Sequence, residues 1–189
     1  MKHYILTGAP GSGKTTVLRE LQRRGWSAVG EAATDVIARE QERGVDEPWL
    51  DSTFPEKVVA LQQERFRVAA EAGASAFLHD RSPWCTLALA RYLDLPATGA
   101  LLDAVERARP HYEETAFFLR PLGFLESSAA RQISYEEALE FEAVHEAVYR
   151  DHGFTLVDIP AGAVVERAGA VEARLLRSEH PGCTERDRT

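Results

Sequence analysis

Residues 8–15 constrain the fold more than any other part of the sequence. They read Gly-Ala-Pro-Gly-Ser-Gly-Lys-Thr, match the pattern G-x-x-x-x-G-K-[ST], and lie between the apolar run 3–7 and a helical pattern. Glycine adopts backbone dihedral angles that other residues rarely adopt, so successive N–H groups can converge on phosphate oxygens at a helix N-terminus. The sequence therefore predicts a phosphate-binding loop between a strand and a helix.

The side chains of this loop predict its ligand. Lys14 is expected to contact the β- and γ-phosphates of a nucleoside triphosphate, and the Thr15 hydroxyl is expected to bind Mg²⁺. The alternative is a glycine-rich turn that only caps a helix. It is disfavoured because a predicted strand precedes the motif and a predicted helix follows it, as in a phosphate-binding loop. The predicted nucleotide-binding residues are Gly8, Ala9, Pro10, Gly11, Ser12, Gly13, Lys14, Thr15 and Thr16.

Apolar clusters and helical patterns alternate along the rest of the chain. Predicted strands cover residues 3–7, 27–30, 76–79, 115–119 and 154–159. Predicted helices run from the loop to residue 25 and over 34–43, 56–72, 83–92 and 134–151, the last opened by a capping box. Strands that alternate with helices indicate a parallel sheet with helices on both faces.

Length and charge limit the class of protein. The chain has 189 residues, which favours one domain, predicted over residues 1–177 with a polar tail at 178–189. Its formal net charge of −8 has the wrong sign for a nucleic-acid-binding protein, so an anionic ligand needs a local positive field. Cys85 and Cys183 lack metal-ligand spacing, and no apolar run suits a membrane span or a signal peptide. We therefore predict a cytoplasmic protein without membrane insertion.

Asp80 is the leading candidate for the carboxylate that phosphoryl transfer needs near the loop. It follows the predicted strand 76–79, and parallel strands present their carboxyl ends at the edge where Gly8 also emerges. Asp80 is expected to hold Mg²⁺ through water or to accept a proton from an acceptor hydroxyl. Its neighbour His79 is more typical of a buried histidine bonded to a backbone carbonyl than of a catalytic group.

Glu31 stands at the end of the second predicted strand and is expected to face the same crevice. One interpretation makes it a ligand of the acceptor hydroxyl or a general base. The other makes it a solvated acid favoured by the dipole of the following helix. The sequence does not decide between them.

Three arginines are candidates for phosphate contacts. Arg81 follows Asp80, Arg120 follows the fourth predicted strand, and Arg131 lies in the segment 121–133, which has little pattern. We predict that this segment is a mobile lid, because phosphoryl transfer needs arginines that screen developing charge and exclude water. The alternative for each arginine is a surface cation.

Other side chains carry weaker signals. Trp49, Trp84 and Tyr92 are suited to stacking on a base, although aromatic residues at such positions are more often part of the core. His145 is predicted on the surface of the last long helix, because no carboxylate cluster accompanies it. Cys85 has no partner base and is assigned no chemistry.

Several of these segments together resemble a known family. They are residues 8–16 (GAPGSGKTT), 31–33 (EAA), 79–84 (HDRSPW), 87–92 (LALARY) and 142–160. Over residues 2–176 the chain resembles the NadR/Ttd14-like AAA domain family of P-loop ATPases, which includes ribosylnicotinamide kinase domains. The resemblance implies a three-layer α/β/α P-loop NTPase fold with a five-stranded parallel sheet in the order 2-3-1-4-5.

The step Asp80-Arg81-Ser82 is also similar to the carboxylate-Arg-Ser motif of deoxynucleoside kinases. In those enzymes the acid and the arginine lie beside the acceptor hydroxyl, and a glutamate after the second strand serves as base. The resemblance implies these roles for Asp80, Arg81 and Glu31. Family members commonly carry Asp-Gly-x-Arg before the long helix, whereas residues 128–131 read Ser-Ala-Ala-Arg and keep only the arginine.

The sequence thus predicts phosphoryl transfer from ATP or GTP, with Mg²⁺, to a hydroxyl of a small-molecule acceptor. An alternative is a nucleotide-hydrolysing switch that signals to a protein or lipid, and a third is a nucleotide-binding module without turnover. A kinase should have a closed cavity lined by Glu31, Asp80 and Arg81, whereas a switch should bury no second small molecule. The predicted catalytic residues are Lys14, Asp80, Glu31, Arg81 and Arg131, and the predicted metal ligands are Thr15 and Asp80. The acceptor, the choice between ATP and GTP, and the oligomeric state stay open.

Overall fold

Strands and helices alternate along the computed structural model, which describes residues 1–123 and 134–179. The strands are β1 (Lys2–Thr7), β2 (Ser27–Val29), β3 (Ala76–Asp80), β4 (Thr115–Leu119) and β5 (Thr155–Ile159). The helices are α1 (Lys14–Arg23), α2 (Ala32–Glu42), α3 (Phe54–Glu71), α4 (Pro83–Tyr92), α5 (Gly99–Ala108), α6 (Tyr135–Asp151) and α7 (Val164–Glu179). Short 3-10 turns cover Pro48–Leu50 and Arg109–His111.

The five strands form one parallel sheet in the order β2-β3-β1-β4-β5. This confirms the predicted sheet and its order. β1 lies between β3 and β4, and Leu6 is in register with Asp80, so the segments that follow β1 and β3 leave the sheet at one edge. This edge carries the candidate site.

Helices cover both faces of the sheet because adjacent strand residues point to opposite sides. Ile5 packs into a cluster formed mainly by α4, α5 and α6, whereas Leu6 packs into a cluster formed mainly by α1 and α7. A smaller cluster joins α2 to α3. The largest fully buried side chains include Trp84, Tyr149 and Phe117. Burial on both faces makes the sheet a rigid platform for the loops at its edge.

Two helices were not predicted from the sequence, although signals for both are present. Thr98 caps α5 by accepting a hydrogen bond from the Leu101 N–H, which is the pattern of a helix start. α7 buries Ala168, Val171 and Leu175 at helical spacing. The predicted capping box of α6, from Ser134, is present.

Parts of the predicted lid and tail lie outside the described residues. These parts are 124–133, which includes Arg131, and 180–189. Ser178, placed by the sequence at the start of the tail, is helical, and its hydroxyl bonds the Tyr4 hydroxyl at 2.8 Å. Within the two described ranges, no helix combines the length and the apolarity needed to cross a bilayer.

Candidate functional site

The loop between β1 and α1 has the geometry of a phosphate-binding loop. Gly8 has a φ of 129°, and a Cβ atom there would stand 2.3 Å from the Leu119 carbonyl oxygen, so only glycine fits. Gly13, with a φ of 79°, takes the left-handed conformation at the N-cap of α1. The two glycines curl the backbone over the start of the helix, where N–H groups bind anions.

Lys14 lies inside this curl and is 6% exposed. Its Nζ donates hydrogen bonds to the carbonyl oxygens of Gly8 (3.1 Å) and Ala9 (2.7 Å) and to Ser12 Oγ (3.2 Å). Burial, followed by the charge of Arg81, lowers the pKa of Lys14 to about 8. The ammonium therefore occupies the position from which a loop lysine reaches phosphate oxygens.

Thr15 and Asp80 meet at the end of the loop. Thr15 Oγ1 donates to Asp80 Oδ2 at 2.8 Å, although the two residues lie on different elements. Asp80 is 3% exposed, and burial, with the negative charge of Glu31, raises the pKa of its carboxyl group. A carboxylate and a hydroxyl are thus held together beside the phosphate-binding loop.

This pair fits a magnesium ion. Asp80 Oδ1 is buried and has no hydrogen-bond partner among the described residues, so it retains full capacity to bind a cation or its water. Mg²⁺ in nucleotide sites takes one or two protein ligands and completes its shell with water and phosphate oxygens. The described residues contain no group of three or more carboxylate, histidine or cysteine side chains that would hold a metal without phosphates. Thr15 and Asp80 therefore suit a metal that arrives with the nucleotide.

Glu31 forms an ion pair with Arg81 across the end of the sheet. Arg81 Nε donates to Glu31 Oε1 at 2.5 Å, and Thr34 Oγ1 donates to Glu31 Oε2 at 2.9 Å. Burial alone would raise the pKa of Glu31, but the charges of Arg81 and Lys14 outweigh it and lower the pKa to about 2. The structure thus makes Glu31 a half-buried, ionised carboxylate rather than a solvated surface acid.

The backbone at Arg81 takes a conformation that is unusual for a residue with a side chain. Its φ is 73°, in the left-handed region, and its N–H donates to the Leu6 carbonyl at 3.0 Å. Such strain persists where the surroundings fix it, and it is most common at functional sites. In this conformation the Arg81 side chain reaches Glu31.

His145 is buried beside Arg81, so the prediction of a surface position was wrong. The ring is 0% exposed, and its Nδ1 lies 3.0 Å from the Phe141 carbonyl, which only accepts. Nδ1 therefore carries the proton, and Nε2 accepts from Arg81 Nη1 at 3.1 Å. Burial, with the charge of Arg81, lowers the pKa of His145 well below its ordinary value. Neutral His145 thus holds the guanidinium from one side and Glu31 holds it from another.

Arg120 is engaged elsewhere in the structure. It forms ion pairs with Glu142 (2.6 Å), Glu146 (3.0 Å) and Asp158 (2.6 Å), and it stacks on Phe118. These contacts hold it among carboxylates, where a phosphate group would be repelled. Of the predicted arginines that lie within the described residues, Arg81 is the one that lines the cavity beside the loop.

This cavity has a volume of about 500 Å³. Its polar side is formed by the loop together with Glu31 and Arg81. Asp80 contacts the lining residue Thr15 but does not itself line the cavity, contrary to the expectation for a kinase. The apolar and aromatic wall is formed by Ile37, Trp49, Phe54, Val58, Leu89, Tyr92, Leu93 and Phe141.

Three further residues considered in the sequence analysis make contacts within the protein. Trp84 is part of the core, as its aromatic character suggested. His79 bonds His3 at 2.8 Å and contacts the Tyr112 hydroxyl at 3.4 Å, instead of bonding a backbone carbonyl. Cys85 lines the cavity, and its sulfur contacts the hydroxyl groups of Thr7 and Tyr149 but no base of the described residues.

One residue at the loop was missed by sequence reasoning. Arg167, on the unpredicted helix α7, is 3% exposed and donates from Nη1 to the Ser12 carbonyl at 2.5 Å. The helical spacing of α7 was a signal for burial of one face. No sequence pattern indicates that an arginine of this helix reaches the loop.

Comparisons with known proteins agree with the fold. The sequence model of the AAA domain family matches residues 3–167. No curated protein matches the chain. Deoxyadenosine kinase from M. mycoides with bound dATP is similar in structure, with a TM-score of 0.63, 14% sequence identity, and coverage of 92% of this chain and 99% of that chain. The same enzyme with the products dCMP and a flexible dCDP gives a TM-score of 0.62 at 13% identity, with 92% and 98% coverage.

Proposed function

The chain belongs to the AAA domain family, and on that premise we propose that it is a P-loop kinase of small molecules. It transfers the γ-phosphoryl group of ATP or GTP to a hydroxyl group of an acceptor. The observation that carries this proposal is the cavity of about 500 Å³, which joins the loop to the Glu31–Arg81 pair and an aromatic wall. A protein that only hydrolyses nucleotide has no need of a second small-molecule compartment beside its phosphates.

The roles of the nucleotide-binding residues follow from their positions. The backbone N–H groups of the loop and the Lys14 ammonium bind the β- and γ-phosphates. Thr15 and Asp80 would hold the magnesium ion, which would neutralise part of the charge of the triphosphate. Glycines at positions 8 and 13 keep the backbone close enough for these contacts.

The Glu31–Arg81 pair acts on the acceptor. In the reaction the acceptor oxygen forms a bond to the γ-phosphorus, and the bond from that phosphorus to the bridging oxygen breaks, leaving the electron pair on the diphosphate. Glu31 accepts the proton of the acceptor hydroxyl as it is released. A carboxylate whose pKa is about 2 is a weak base, which suits a loose transition state in which the proton leaves late.

Arg81 and the aromatic wall orient the acceptor. Glu31 and His145 hold the Arg81 side chain in one conformation, so its charge is already oriented toward the reacting oxygens before the acceptor binds. Trp49 and Tyr92 offer flat faces, which suit an acceptor with a planar ring such as a nucleoside. The NadR/Ttd14-like resemblance favours the same class, because it includes kinases of a ribosylated nicotinamide.

Some elements of the proposal lie outside the described residues. Arg131 and most of the predicted lid are among them, and we propose that Arg131 screens the transferred phosphoryl group. The domain limits of 1–177 and the cytoplasmic location also stay predictions. The choice between ATP and GTP is left to experiment.

A panel of acceptors tests the proposed function. Nucleosides, ribosylated vitamins and aminoglycoside-like alcohols are incubated with Mg-ATP or Mg-GTP, and release of ADP or GDP is measured against the rate without acceptor. At least one nucleoside-like alcohol should raise the rate and appear as its monophosphate. If no compound across the panel does so while basal hydrolysis is clear, the nucleotide-hydrolysing switch replaces the kinase.

Glu31→Gln separates binding from transfer. We expect acceptor-dependent transfer to fall about a hundredfold, the usual contribution of a positioned general base, while nucleotide affinity and basal hydrolysis change little. Transfer is followed as monophosphate formation, and nucleotide affinity is measured by titration calorimetry. The matched control is Glu71→Gln at the end of α3, whose carboxylate pairs with Arg67 at 2.7 Å away from the cavity. Equal transfer rates in Glu31→Gln and wild type would exclude Glu31 as the base.

A further inference from the structure

Arg167 is a buried cation that the described residues leave without a counter-ion. It is 3% exposed, and no carboxylate of the described chain lies within 4.0 Å of its guanidinium. Arg81 and Arg120, which are also largely buried, each have a carboxylate partner. A buried charge without an opposite charge is costly, so it is retained where another group neutralises it.

Within the described part of the chain, the hydrogen bonds of Arg167 are made to backbone carbonyls at or beside the phosphate-binding loop. Nη1 donates to the Ser12 carbonyl at 2.5 Å, and Nη2 donates to the Arg120 carbonyl at 3.0 Å. Nε is buried and has no hydrogen-bond partner in the described part of the chain. A Cβ atom on Gly13 would stand 3.1 Å from Nη1, so the guanidinium packs directly against the loop.

These contacts fix the direction of a peptide group in the loop. A trans peptide points its C=O and the following N–H in opposite directions. Because Arg167 holds the Ser12 carbonyl, the N–H of Gly13 is aimed away from Arg167, toward the other side of the loop. Loop N–H groups bind phosphate only when they are aimed in this way.

The charges around the loop support an electrostatic role as well. Lys14 and Arg81 are balanced nearby by Glu31 and Asp80, which act on them at short range. The chain as a whole carries a net charge of −8 and repels a triphosphate. Arg167 adds a positive charge that no neighbouring carboxylate of the described residues cancels.

We propose that Arg167 is a positioning residue for the triphosphate of the nucleotide. It aims the Ser12–Gly13 peptide group, and its charge is neutralised by the phosphates when they bind. The proposal rests on the proposed function, because it requires that the loop binds a nucleoside triphosphate. Arg167, on α7, would thus join the residues that position the triphosphate at the loop.

Arg24 provides a matched control for this proposal. Arg24 follows α1 and joins that helix to α7 through Glu172 at 2.9 Å and the Val165 carbonyl at 3.0 Å. It also bonds Glu20 of α1 at 3.0 Å. It does not contact the loop. A variant of Arg24 therefore reports the effect of weakening the attachment of α7 alone.

The experiment compares Arg167→Met, Arg167→Lys and Arg24→Met with the wild-type protein. Titration calorimetry gives the dissociation constants of Mg-ATP and of inorganic tripolyphosphate, and thermal unfolding without ligand gives the stability of each variant. We expect Arg167→Met to bind both ligands about tenfold to thirtyfold more weakly, because the Gly13 N–H is no longer held in its binding direction and one positive charge near the phosphates is lost. Arg167→Lys should bind about threefold to tenfold more weakly, because lysine keeps the charge without the planar fork. Arg24→Met should stay within about twofold of wild type, as expected for a remote charge pair.

Two further measurements distinguish positioning from a purely structural role. The KM for nucleotide should rise in Arg167→Met while kcat at saturation changes less. The wild-type affinity for tripolyphosphate should fall more steeply with salt than that of Arg167→Met, because one fewer charge acts on the ligand.

The outcomes separate this proposal from the proposed function. If wild type binds Mg-ATP and the Arg167 variants bind it equally well, the positioning role is overturned and the kinase proposal stands. If wild type binds neither Mg-ATP nor tripolyphosphate, both proposals fall together. If Arg167→Met does not fold, Arg167→Lys decides the question, and an affinity equal to wild type would overturn the role.

Discussion

Lys14→Ala abolishes detectable phosphoryl transfer and weakens triphosphate binding by about a hundredfold or more, the largest loss expected of any substitution in the chain. Among the described residues, Lys14 is the side chain whose ammonium lies within the curl of the loop, where it donates to oxygens of Gly8, Ala9 and Ser12. Alanine leaves the backbone N–H groups in place but removes the charge that bridges the β- and γ-phosphates. Transfer is measured with an acceptor found in the panel, and binding is measured by calorimetry.

The control for this variant is Lys57→Ala. Lys57 forms an ion pair with Glu40 at 2.6 Å on the outside of α3 and does not line the cavity. Its removal should leave transfer and nucleotide affinity unchanged. Wild-type activity in Lys14→Ala, with Lys57→Ala also active, would refute the role of the loop in phosphate binding.

Lys14→Ala should also differ from wild type in how its unfolding temperature depends on pH. Burial lowers the pKa of Lys14 from 10.5 to about 8, so between these values the unfolded chain binds more protons than the folded one. The burial cost of the ammonium is fully present below about pH 8 and is relieved as the pH rises toward 10.5. Lys14 therefore destabilises the fold at neutral pH, and Lys14→Ala should unfold at an equal or higher temperature there. A stable but inactive variant would show that the lysine is kept for function and not for folding.

The loop and the sheet were predictable because their signals are local. Residues 8–15 need glycine where the backbone turns and where it approaches β4, and these requirements appear directly in the sequence. The strands are short apolar runs with turn residues on both sides, and parallel pairing follows from the helices between them. The position of Asp80 beside the loop was predictable for the same reason, because Asp80 ends an apolar run.

The environment of Arg81 was harder to predict because it depends on contacts between distant elements. His145 shares a helix face with Phe141 and Val148, so helical periodicity was a signal for its burial. Its partners were not predictable, because the Phe141 carbonyl and Arg81 satisfy both ring nitrogens only once α6 is packed. Periodicity shows that a helix has two faces, but it does not show which partner each face meets. The interpretation of Glu31 was open for the same reason, since its pairing with Arg81 joins two segments 50 residues apart.

Arg167 illustrates the limit of motif reasoning. Its partners are main-chain carbonyls, which every residue has, and its distance from Ser12 along the chain is 155 residues. A side chain that recognises backbone leaves no complementary residue type in the sequence. Such residues become visible only when the fold has placed them, which is why the last helix was absent from the predicted site.

Asp80→Asn lowers the rate of transfer by about a thousandfold, at the upper end of losses for a group that acts on transition-state charge, while nucleotide affinity stays within about tenfold. One carboxylate oxygen accepts from Thr15, and the other is buried and has no hydrogen-bond partner within residues 1–123 and 134–179, so the metal or its water would use it. An amide is neutral and cannot place a negative charge on the metal. The fold should tolerate the change, because burial disfavours the charged form of Asp80 and raises its pKa.

The dependence on Mg²⁺ distinguishes a metal-binding role of Asp80 from a structural role in the loop. With a chelator present, wild type and Asp80→Asn should bind ATP equally, because the loop N–H groups and Lys14 do not involve the carboxylate. With Mg²⁺ added, only wild type should gain affinity and turnover, and higher Mg²⁺ should restore part of the rate in the variant. The control is Asp158→Asn, which removes a carboxylate of β5 that pairs with Arg120 and should leave both measurements unchanged. If Asp80→Asn instead loses nucleotide binding in the chelator, or unfolds at a lower temperature than this control, Asp80 supports the loop structurally and the metal must be held by other groups.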